Sequence, residues 1–507
     1  MSLIARTSFV AAATLGSRLL GFARDAGTAA VLGAGPLADA LMAALSLPLL
    51  ARRLLAEGAV NAALIPALDV ARHEKAPSAR RLARGILVLL TLTLVVLTGL
   101  GLVFMPNLIG LLAPGFALDG QRADLAVQCG RLALLYVPLA GVAAVHAAVA
   151  NSARRVVMPA LAPVVANGVV LVVIAALLLN GRMASPLAAQ ALAVSTLVAG
   201  LAQALLMRLA ARGALDGPPP SARGVGDLAG GARVLRAAAP ALLFAGLSQF
   251  RLLLVAAVVS AAPGAVAALN YAQRLVDLPL GLVGASAGAI LVPLLVAGAR
   301  ATEGGRGDPA TGAALAALGL AVPAGLGLFV LAEPIVTVLY QRASFTAQDA
   351  ILTASLLRML ALSLPAQGLE RVLCAIAMSH GLERQVERVG LAGLVLCLLL
   401  AVALGRWVGA PGAAAAVALS ASLSAGALLV VLFRRALLHW TGAVLCQMRA
   451  LVMAGAVMAI AVGGAQSAWS APPAGSLQGL VRLALLVALG LAAFASVWFA
   501  AGGRPGR

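Results

Sequence analysis

The chain has 507 residues, of which 62% are hydrophobic and 10% are charged, and its formal net charge is +19. So large an apolar fraction excludes a water-soluble globular protein of this length, because the few polar residues could not cover the apolar surface. The basic residues are spread over short segments between apolar runs, which excludes a dedicated nucleic-acid-binding arm and is typical of orientation signals in membrane proteins.

Apolar runs long enough to span a bilayer core as α-helices recur along the whole chain, and we predict an all-α polytopic membrane protein with about 14 transmembrane helices. Arg18 interrupts the first apolar run and no cleavage site follows it, so this run is predicted to be a membrane helix rather than a signal peptide. The predicted spans lie near residues 7–32, 37–68, 85–112, 124–150, 157–179, 186–211, 233–259, 264–298, 311–340, 350–379, 388–405, 411–433, 449–466 and 480–501.

The segments between the spans alternate in charge. Basic clusters follow the even-numbered spans, for example Arg80, Arg81 and Arg84 after the second. Segments after odd-numbered spans carry one arginine or none, and Arg122 is the arginine after the third span. The positive-inside rule therefore predicts that both termini are cytoplasmic.

A connection rich in Pro, Gly and Ser follows the sixth span and is predicted to be a linker. It separates two sets of six spans with weak internal similarity, an arrangement common in transporters with two repeated bundles. The predicted domains are an N-lobe at 1–211, a cytoplasmic linker at 212–232, a C-lobe at 233–438 and a pair of extra helices at 439–507.

Three spans carry polar residues on one helical face, and Arg251 in the seventh span is a further candidate. In the first span this face contains Thr14, Ser17, Arg18, Gly21, Asp25 and Thr28, with Arg24 at its edge. In the second it contains Asp39, Ser46, Arg53, Glu57 and Asn61. In the eighth it contains Asn270, Arg274, Asp277, Gly281, Gly284 and Gly288.

Charged residues in these faces must point to a shared interior, because an arginine at mid-bilayer costs about 2.5–3.5 kcal/mol on insertion scales. One interpretation is a set of static ion pairs that hold helices together, namely Arg24–Asp25, Arg53–Glu57 and Arg274–Asp277. Arg18 and Arg52 remain after such pairing, however. A surplus of guanidinium groups favours a cavity that receives a phosphate or carboxylate group.

The sequence contains no Ser/His/Asp set, nucleotide-binding loop or metal-ligand spacing, and its four cysteines are scattered. We therefore expect a transporter rather than an enzyme, with no cofactor and no metal.

Several segments resemble the signature of the MurJ/MviN lipid II flippases, a family of the MATE-like, or MOP, exporter superfamily. They are "SRLLGFARD" (17–25), "LGAGPLADA" (32–40), "LPLLARRLLAEGAVNAALIPAL" (47–68), "APGF" (113–116), "YAQRL…P" (271–279) and "SFTAQDA" (344–350). The resemblance implies a bacterial inner-membrane protein that moves lipid II, the undecaprenyl-diphosphate-linked disaccharide-pentapeptide, from the cytoplasmic to the periplasmic leaflet for peptidoglycan synthesis.

The resemblance also implies two lobes in a V around a central cavity that opens alternately to each side, with a groove for the lipid tail along the last two helices. The expected partners are lipid II and membrane lipids, with no nucleic acid, and the expected state is a monomer. By motif position, the residues on which the family relies are Ser17, Arg18, Arg24, Asp25, Asp39, Arg52, Glu57 and Arg274.

The diphosphate is expected at the cavity arginines Arg18, Arg24, Arg52 and Arg274. The helical faces add three supporting residues, Arg53, Asn270 and Asp277. The helical face of the second span favours Arg53 over Arg52, whereas the motif favours Arg52. We follow the motif, because Pro48 disturbs the helical geometry on which the first choice depends.

The sequence departs from the family pattern at Leu49, at Ala267, at Gln273, where an acidic residue is usual, and in the segment 379–389. One alternative is therefore another MOP exporter, for an undecaprenyl-linked polysaccharide or a small molecule. A second alternative is a membrane scaffold in which every polar face is closed by ion pairs.

Overall fold

The computed structural model describes residues 3–56, 59–74, 76–215, 226–298, 309–439, 441–470 and 472–502. Within these ranges the chain forms nineteen α-helices and one short 3₁₀ helix. The chain divides into two compact units, unit 1 (Met1–Leu253) and unit 2 (Leu254–Arg507). The division falls inside one helix, α10 (Leu228–Val259), which therefore begins in unit 1 and ends in unit 2.

Unit 1 contains the first nine helices and the start of α10. They are α1 (Leu3–Leu32), α2 (Pro36–Ala56), α3 (Ala59–Glu74), α4 (Ala76–Val103), α5 (Met105–Leu112), α6 (Gly120–Leu134), α7 (Tyr136–Ser152), α8 (Val157–Leu179) and α9 (Pro186–Ala211), with the 3₁₀ helix Pro114–Leu118 between α5 and α6. Helix α8 packs against α1 and α9, α7 packs against α9 and α4, and α2 packs against α6.

Unit 2 contains the end of α10 and nine further helices. They are α11 (Ala265–Gly298), α12 (Pro309–Val330), α13 (Ala332–Tyr340), α14 (Ala347–Ala361), α15 (Leu364–Ser379), α16 (Glu383–Val408), α17 (Ala410–Arg434), α18 (Gly442–Ala468) and α19 (Leu477–Ala500). Helix α11 packs against α12 and α14, and α17 packs against α15 and α16. The last two helices pack against each other, and α18 also contacts α12.

Every predicted span coincides with one of these helices or with two consecutive helices. The broken spans are α4–α5, α6–α7, α12–α13 and α14–α15, whereas residues 57–58 between α2 and α3 lie outside the described part of the chain. Each of these four breaks has a proline within the first three residues of the second helix: Pro106, Pro138, Pro334 and Pro365. A proline removes one backbone donor and its ring clashes with the preceding turn, which explains why the helix is interrupted at these points.

Nine segments of the described chain are long and apolar enough to cross a membrane, and ten if the pair α14–α15, bent by 41°, is one span. The chain is therefore a multi-pass membrane protein with an all-α fold. The other predicted spans are the first, second, seventh and eighth, which are those on which the sequence analysis placed charged residues.

The two described ends of the predicted linker are both attached to the start of α4. The Arg80 side chain donates a hydrogen bond to the Leu215 carbonyl, and the Asp227 amide donates to the Arg81 carbonyl at 3.0 Å. Asp227 also accepts from the Gly230 amide at 2.8 Å and thereby satisfies one of the open donors at the start of α10. Residues 216–225 between these ends lie outside the described part of the chain.

Candidate functional site

One polar cluster of unit 1 lies where α1 packs against α8. Two glycines of α1 allow this approach: a Cβ at Gly27 would lie 2.8 Å from Cγ2 of Ile174, and one at Gly21 would lie 3.3 Å from Nδ2 of Asn167. Gly21 belongs to the predicted polar face of α1 and Gly27 does not, but α8 occupies the space that a side chain at either position would need.

Arg24 is held by two side chains at this contact. Its Nε and Nη2 donate to Oδ1 of Asp25 at 3.0 and 2.7 Å, and its Nη1 donates to Oδ1 of Asn167 at 3.1 Å. Arg24 and Asp25 each retain 16% side-chain exposure, so the pair is partly open. The predicted Arg24–Asp25 ion pair is thus present, and the hydroxyl of Thr28 donates to the Arg24 carbonyl one turn away.

Asn167 belongs to this cluster although the sequence analysis did not single it out. It is 6% exposed, and its Nδ2 donates to the Ser17 carbonyl at 3.1 Å. The available signal was its position as a lone amide inside the apolar span 157–179, because a buried polar group in a membrane helix needs partners. Its partners come from α1, which no local pattern in α8 reveals.

Arg18 differs from Arg24 in having no such support. The side chain is half-buried, and it forms no hydrogen bond or ion pair with any residue that the structure describes. A guanidinium group in a half-buried position has lost part of its hydration, so an incoming anion is a favourable partner for it. This agrees with the predicted surplus of positive charge on α1.

The predicted residues of α2 are placed in two different environments. Arg52 and Arg53 are both half-buried near the end of the helix, and the helix continues through Pro48. Asp39 lies at its start and is fully buried. Glu57 lies outside the described residues.

Asp39 forms an ion pair with Arg122, a residue that the sequence analysis assigned to a loop. Arg122 instead lies in the first turn of α6, is 4% exposed and donates from Nη1 to Oδ2 of Asp39 at 3.2 Å. Its Nη2 donates to the Gly115 carbonyl at 3.3 Å, and its guanidinium lies 4.3 Å from the Phe116 ring centroid. Asp119 completes the arrangement, with its Oδ2 3.8 Å from Nε of Arg122. Asp39 is therefore part of a sealed contact between α2 and α6.

In unit 2 the predicted residues lie in the first half of α11. Gln273 donates from Nε2 to Oδ1 of Asp277 at 2.7 Å, one turn further along. Asn270 donates to the Val266 carbonyl of its own helix at 2.9 Å, and Arg274 is half-buried. Arg251, the candidate in α10, lies near the end of unit 1 and is 2% exposed.

A buried aromatic cluster fixes this part of α11. The Tyr271 ring lies 5.4 Å from that of Tyr340 at the end of α13 and 5.8 Å from that of Phe345. Thr346 begins α14 immediately afterwards with a capping box that Asp349 completes. The segment 344–350, quoted above for its family resemblance, therefore connects α13 to α14. Through Phe345 it also packs against Tyr271 of α11, about one turn before Arg274.

Comparison with solved structures defines the fold. The fold is similar to that of an inward-facing multidrug resistance MATE family transporter of the MOP superfamily, with a TM-score of 0.60 over 83% of this chain and 95% of that chain, at 17% identity. It is more similar to the lipid II flippase MurJ in its inward closed conformation, with a TM-score of 0.79 over 97% and 98% of the two chains, at 18% identity. The protein thus has the fold of a MATE-like membrane transporter.

Sequence comparison then identifies the family. The family model described as lipid II flippase MurJ matches residues 28–477. The probable lipid II flippase MurJ of Rhizobium tropici is 34% identical over 450 residues, which are 87% of this chain and 83% of the relative. The chain belongs to the lipid II flippase MurJ family, which confirms the resemblance that the sequence motifs indicated.

Proposed function

We propose that this protein moves lipid II from the cytoplasmic to the periplasmic leaflet of the bacterial inner membrane by alternating access. The family and the fold support a lipid flippase without enzymatic activity. The arginines of α1, α2 and α11 supply the chemistry for the diphosphate, because guanidinium groups form charge-assisted, often bidentate hydrogen bonds with phosphate oxygens.

The observation that carries this proposal is the contrast between the two arginines of α1. Arg24 is oriented by Asp25 and Asn167, whereas Arg18 has no hydrogen bond or ion pair within the described chain. Together these three charged residues leave one net positive charge on a half-buried helix face. A scaffold that only held helices together would gain nothing from an arginine in this state, whereas an anionic headgroup would stabilise it.

The remaining parts of the proposal follow the domain organisation. The N-lobe (1–211) and C-lobe (233–438) alternate in access, the linker (212–232) is cytoplasmic, and residues 439–507 accommodate the undecaprenyl tail. Both termini are cytoplasmic because the basic clusters follow the even-numbered spans. Arg52 and Arg274 are further ligands of the diphosphate, and the protein acts as a monomer.

Complementation tests the proposal. Bacteria depleted of their own lipid II flippase should grow when they express this protein and should lyse when they express Arg18→Ala at the same level. Arg18→Lys keeps the charge but loses the planar fork, so we expect partial growth. Arg182→Ala is the matched control, because Arg182 is an exposed arginine after α8 in the same unit, and it should support full growth.

Two outcomes would overturn the proposal. If the wild-type protein is inserted in the membrane but does not restore growth, its cargo is not lipid II, and an undecaprenyl-linked polysaccharide becomes the next cargo to test. If Arg18→Ala restores growth as well as the wild type, the arginine surplus of α1 does not bind the headgroup.

A further inference from the structure

We infer that Asn167 is a positioning residue that orients the Arg24 guanidinium toward the diphosphate of the cargo without neutralising it. The inference rests on the proposed function and names a residue of α8 that neither the polar faces nor the motifs indicated.

The orientation of the Asn167 amide follows from the chemistry of its two partners. A guanidinium can only donate hydrogen bonds and a carbonyl oxygen can only accept them. The amide oxygen must therefore face Nη1 of Arg24, at 3.1 Å, and the amide nitrogen must face the Ser17 carbonyl, at 3.1 Å. Asn167 thus connects two points on α1 that are nearly two turns apart, and its side chain is held on both sides.

The contact is built into the packing of the two helices. Asn167 is buried, and Gly21 lies directly opposite it, where a Cβ would approach Nδ2 to 3.3 Å. A side chain at position 21 would push the amide away from Ser17 and Arg24. The glycine and the asparagine therefore depend on each other, although they lie on different helices.

The use of an amide rather than a second carboxylate decides the charge of the site. Asp25 already supplies one negative charge to Arg24 through Oδ1. A carboxylate at position 167 would also accept a hydrogen bond from Nη1 of Arg24. Its negative charge would, however, cancel the one positive charge that remains when Arg18, Arg24 and Asp25 are counted together. An amide orients the guanidinium and leaves that charge available to an anion.

Two substitutions separate orientation from charge. Asn167→Leu keeps the approximate size but removes both hydrogen bonds, so the guanidinium loses its neutral acceptor. Asn167→Asp keeps an acceptor for Arg24 but adds a negative charge. Asn180→Asp is the matched control, because Asn180 follows the same helix at its exposed end, where its Nδ2 bonds to the Ala176 carbonyl.

The first measurement needs no cargo. Purified protein in lipid nanodiscs is treated with phenylglyoxal, and the modification of Arg24 is followed by peptide mass spectrometry. Arg24 should react several-fold faster in Asn167→Leu than in the wild type, and at the wild-type rate in Asn180→Asp. An unchanged rate in Asn167→Leu would overturn the inference, whether or not the protein binds lipid II.

The second measurement is binding of undecaprenyl diphosphate in the same nanodiscs, with undecaprenol as the uncharged comparison. Asn167→Leu and Asn167→Asp should each bind the diphosphate about tenfold more weakly, the loss expected when one hydrogen bond to a charged group is disturbed. In an Arg24→Ala background, substitution of Asn167 should cause no further loss. A role in helix packing alone would lower thermal stability but leave the affinity and its dependence on Arg24 unchanged.

The two proposals fail in different ways. If wild-type protein does not distinguish undecaprenyl diphosphate from undecaprenol, the proposed cargo is wrong, while the reactivity of Arg24 still decides the role of Asn167. If the wild type binds the diphosphate through Arg24 and both Asn167 variants bind it equally well, the cargo stands and the inference about Asn167 is wrong.

Discussion

The ion pair between Asp39 and Arg122 connects α2 to α6, and its loss should destabilise unit 1. Replacing Arg122 by Met removes the guanidinium and leaves the Asp39 carboxylate in a site with 0% side-chain exposure. Removing one partner of a buried ion pair costs about 3–5 kcal/mol, because the other charge stays desolvated. The loss should include the cation–π attraction between Arg122 and the Phe116 ring. It should not include the packing on that ring, since methionine also packs on an aromatic ring but carries no charge.

The interaction itself is isolated by a double-mutant cycle with Asp39→Asn. We expect the double variant Asp39→Asn/Arg122→Met to lose about 2–3 kcal/mol less than the sum of the two single variants, because neither charge is then left alone. The free energy of unfolding should be measured by denaturant titration in micelles with far-ultraviolet circular dichroism. Tryptophan fluorescence is unsuitable here, because all four tryptophans of the chain lie beyond residue 400, in unit 2.

Arg358→Met is the matched control for the same change at an open ion pair. Nη2 of Arg358 lies 3.4 Å from Oε2 of Glu333, and the two side chains are 38% and 60% exposed. Exposed ion pairs contribute less than about 1 kcal/mol to the free energy of unfolding. If Arg122→Met costs no more than Arg358→Met, or if the two substitutions at positions 39 and 122 are additive, the pair does not clamp α2 to α6.

Two further predictions concern packing. Gly27→Val should destabilise unit 1 by about 1–3 kcal/mol, because its side chain would overlap Ile174, and Ile174→Ala in the same chain should recover part of the loss in a thermal unfolding measurement. Tyr340→Ala should cost about 3–5 kcal/mol through loss of the fully buried ring, whereas Tyr340→Phe should cost less than about 1 kcal/mol. The difference arises because the Tyr340 hydroxyl lies 3.4 Å from the Tyr271 carbonyl, at the long end of hydrogen bonding, and equal losses in the two variants would show that the hydroxyl matters more than the ring.

The fold could be predicted from the sequence because a bilayer limits the possible structures. Within lipid the backbone must satisfy its own hydrogen bonds, so each apolar run of sufficient length becomes a helix. Periodicity and length therefore placed the ends of the spans within nine residues of the ends of the observed helices. The breaks within spans were not predicted. Pro106, Pro138, Pro334 and Pro365 stand near the start of the second helix at four of them, but α2 continues through Pro48, so a proline alone does not identify a break.

The contacts of the polar residues could not be predicted in the same way. Arg24 and Asn167 are 143 positions apart, and Asp39 and Arg122 are 83 positions apart. A helical wheel shows which residues share a face, but the partner on that face is decided by which helix packs against it and at what height. This is why Arg24 and Asp39 could be singled out from the sequence, whereas their partners Asn167 and Arg122 could not.

The buried pair of α2 and α6 shows that a charged residue on a predicted polar face need not lie in an open cavity. Asp39 belongs to the predicted polar face of the second span. In the structure its carboxylate forms an ion pair with Arg122 of α6, and both side chains are almost completely buried. The same residue type thus serves two purposes in one unit: Arg122 is sealed against a carboxylate, and Arg18 remains half-buried and suited to an anion that arrives from outside the chain.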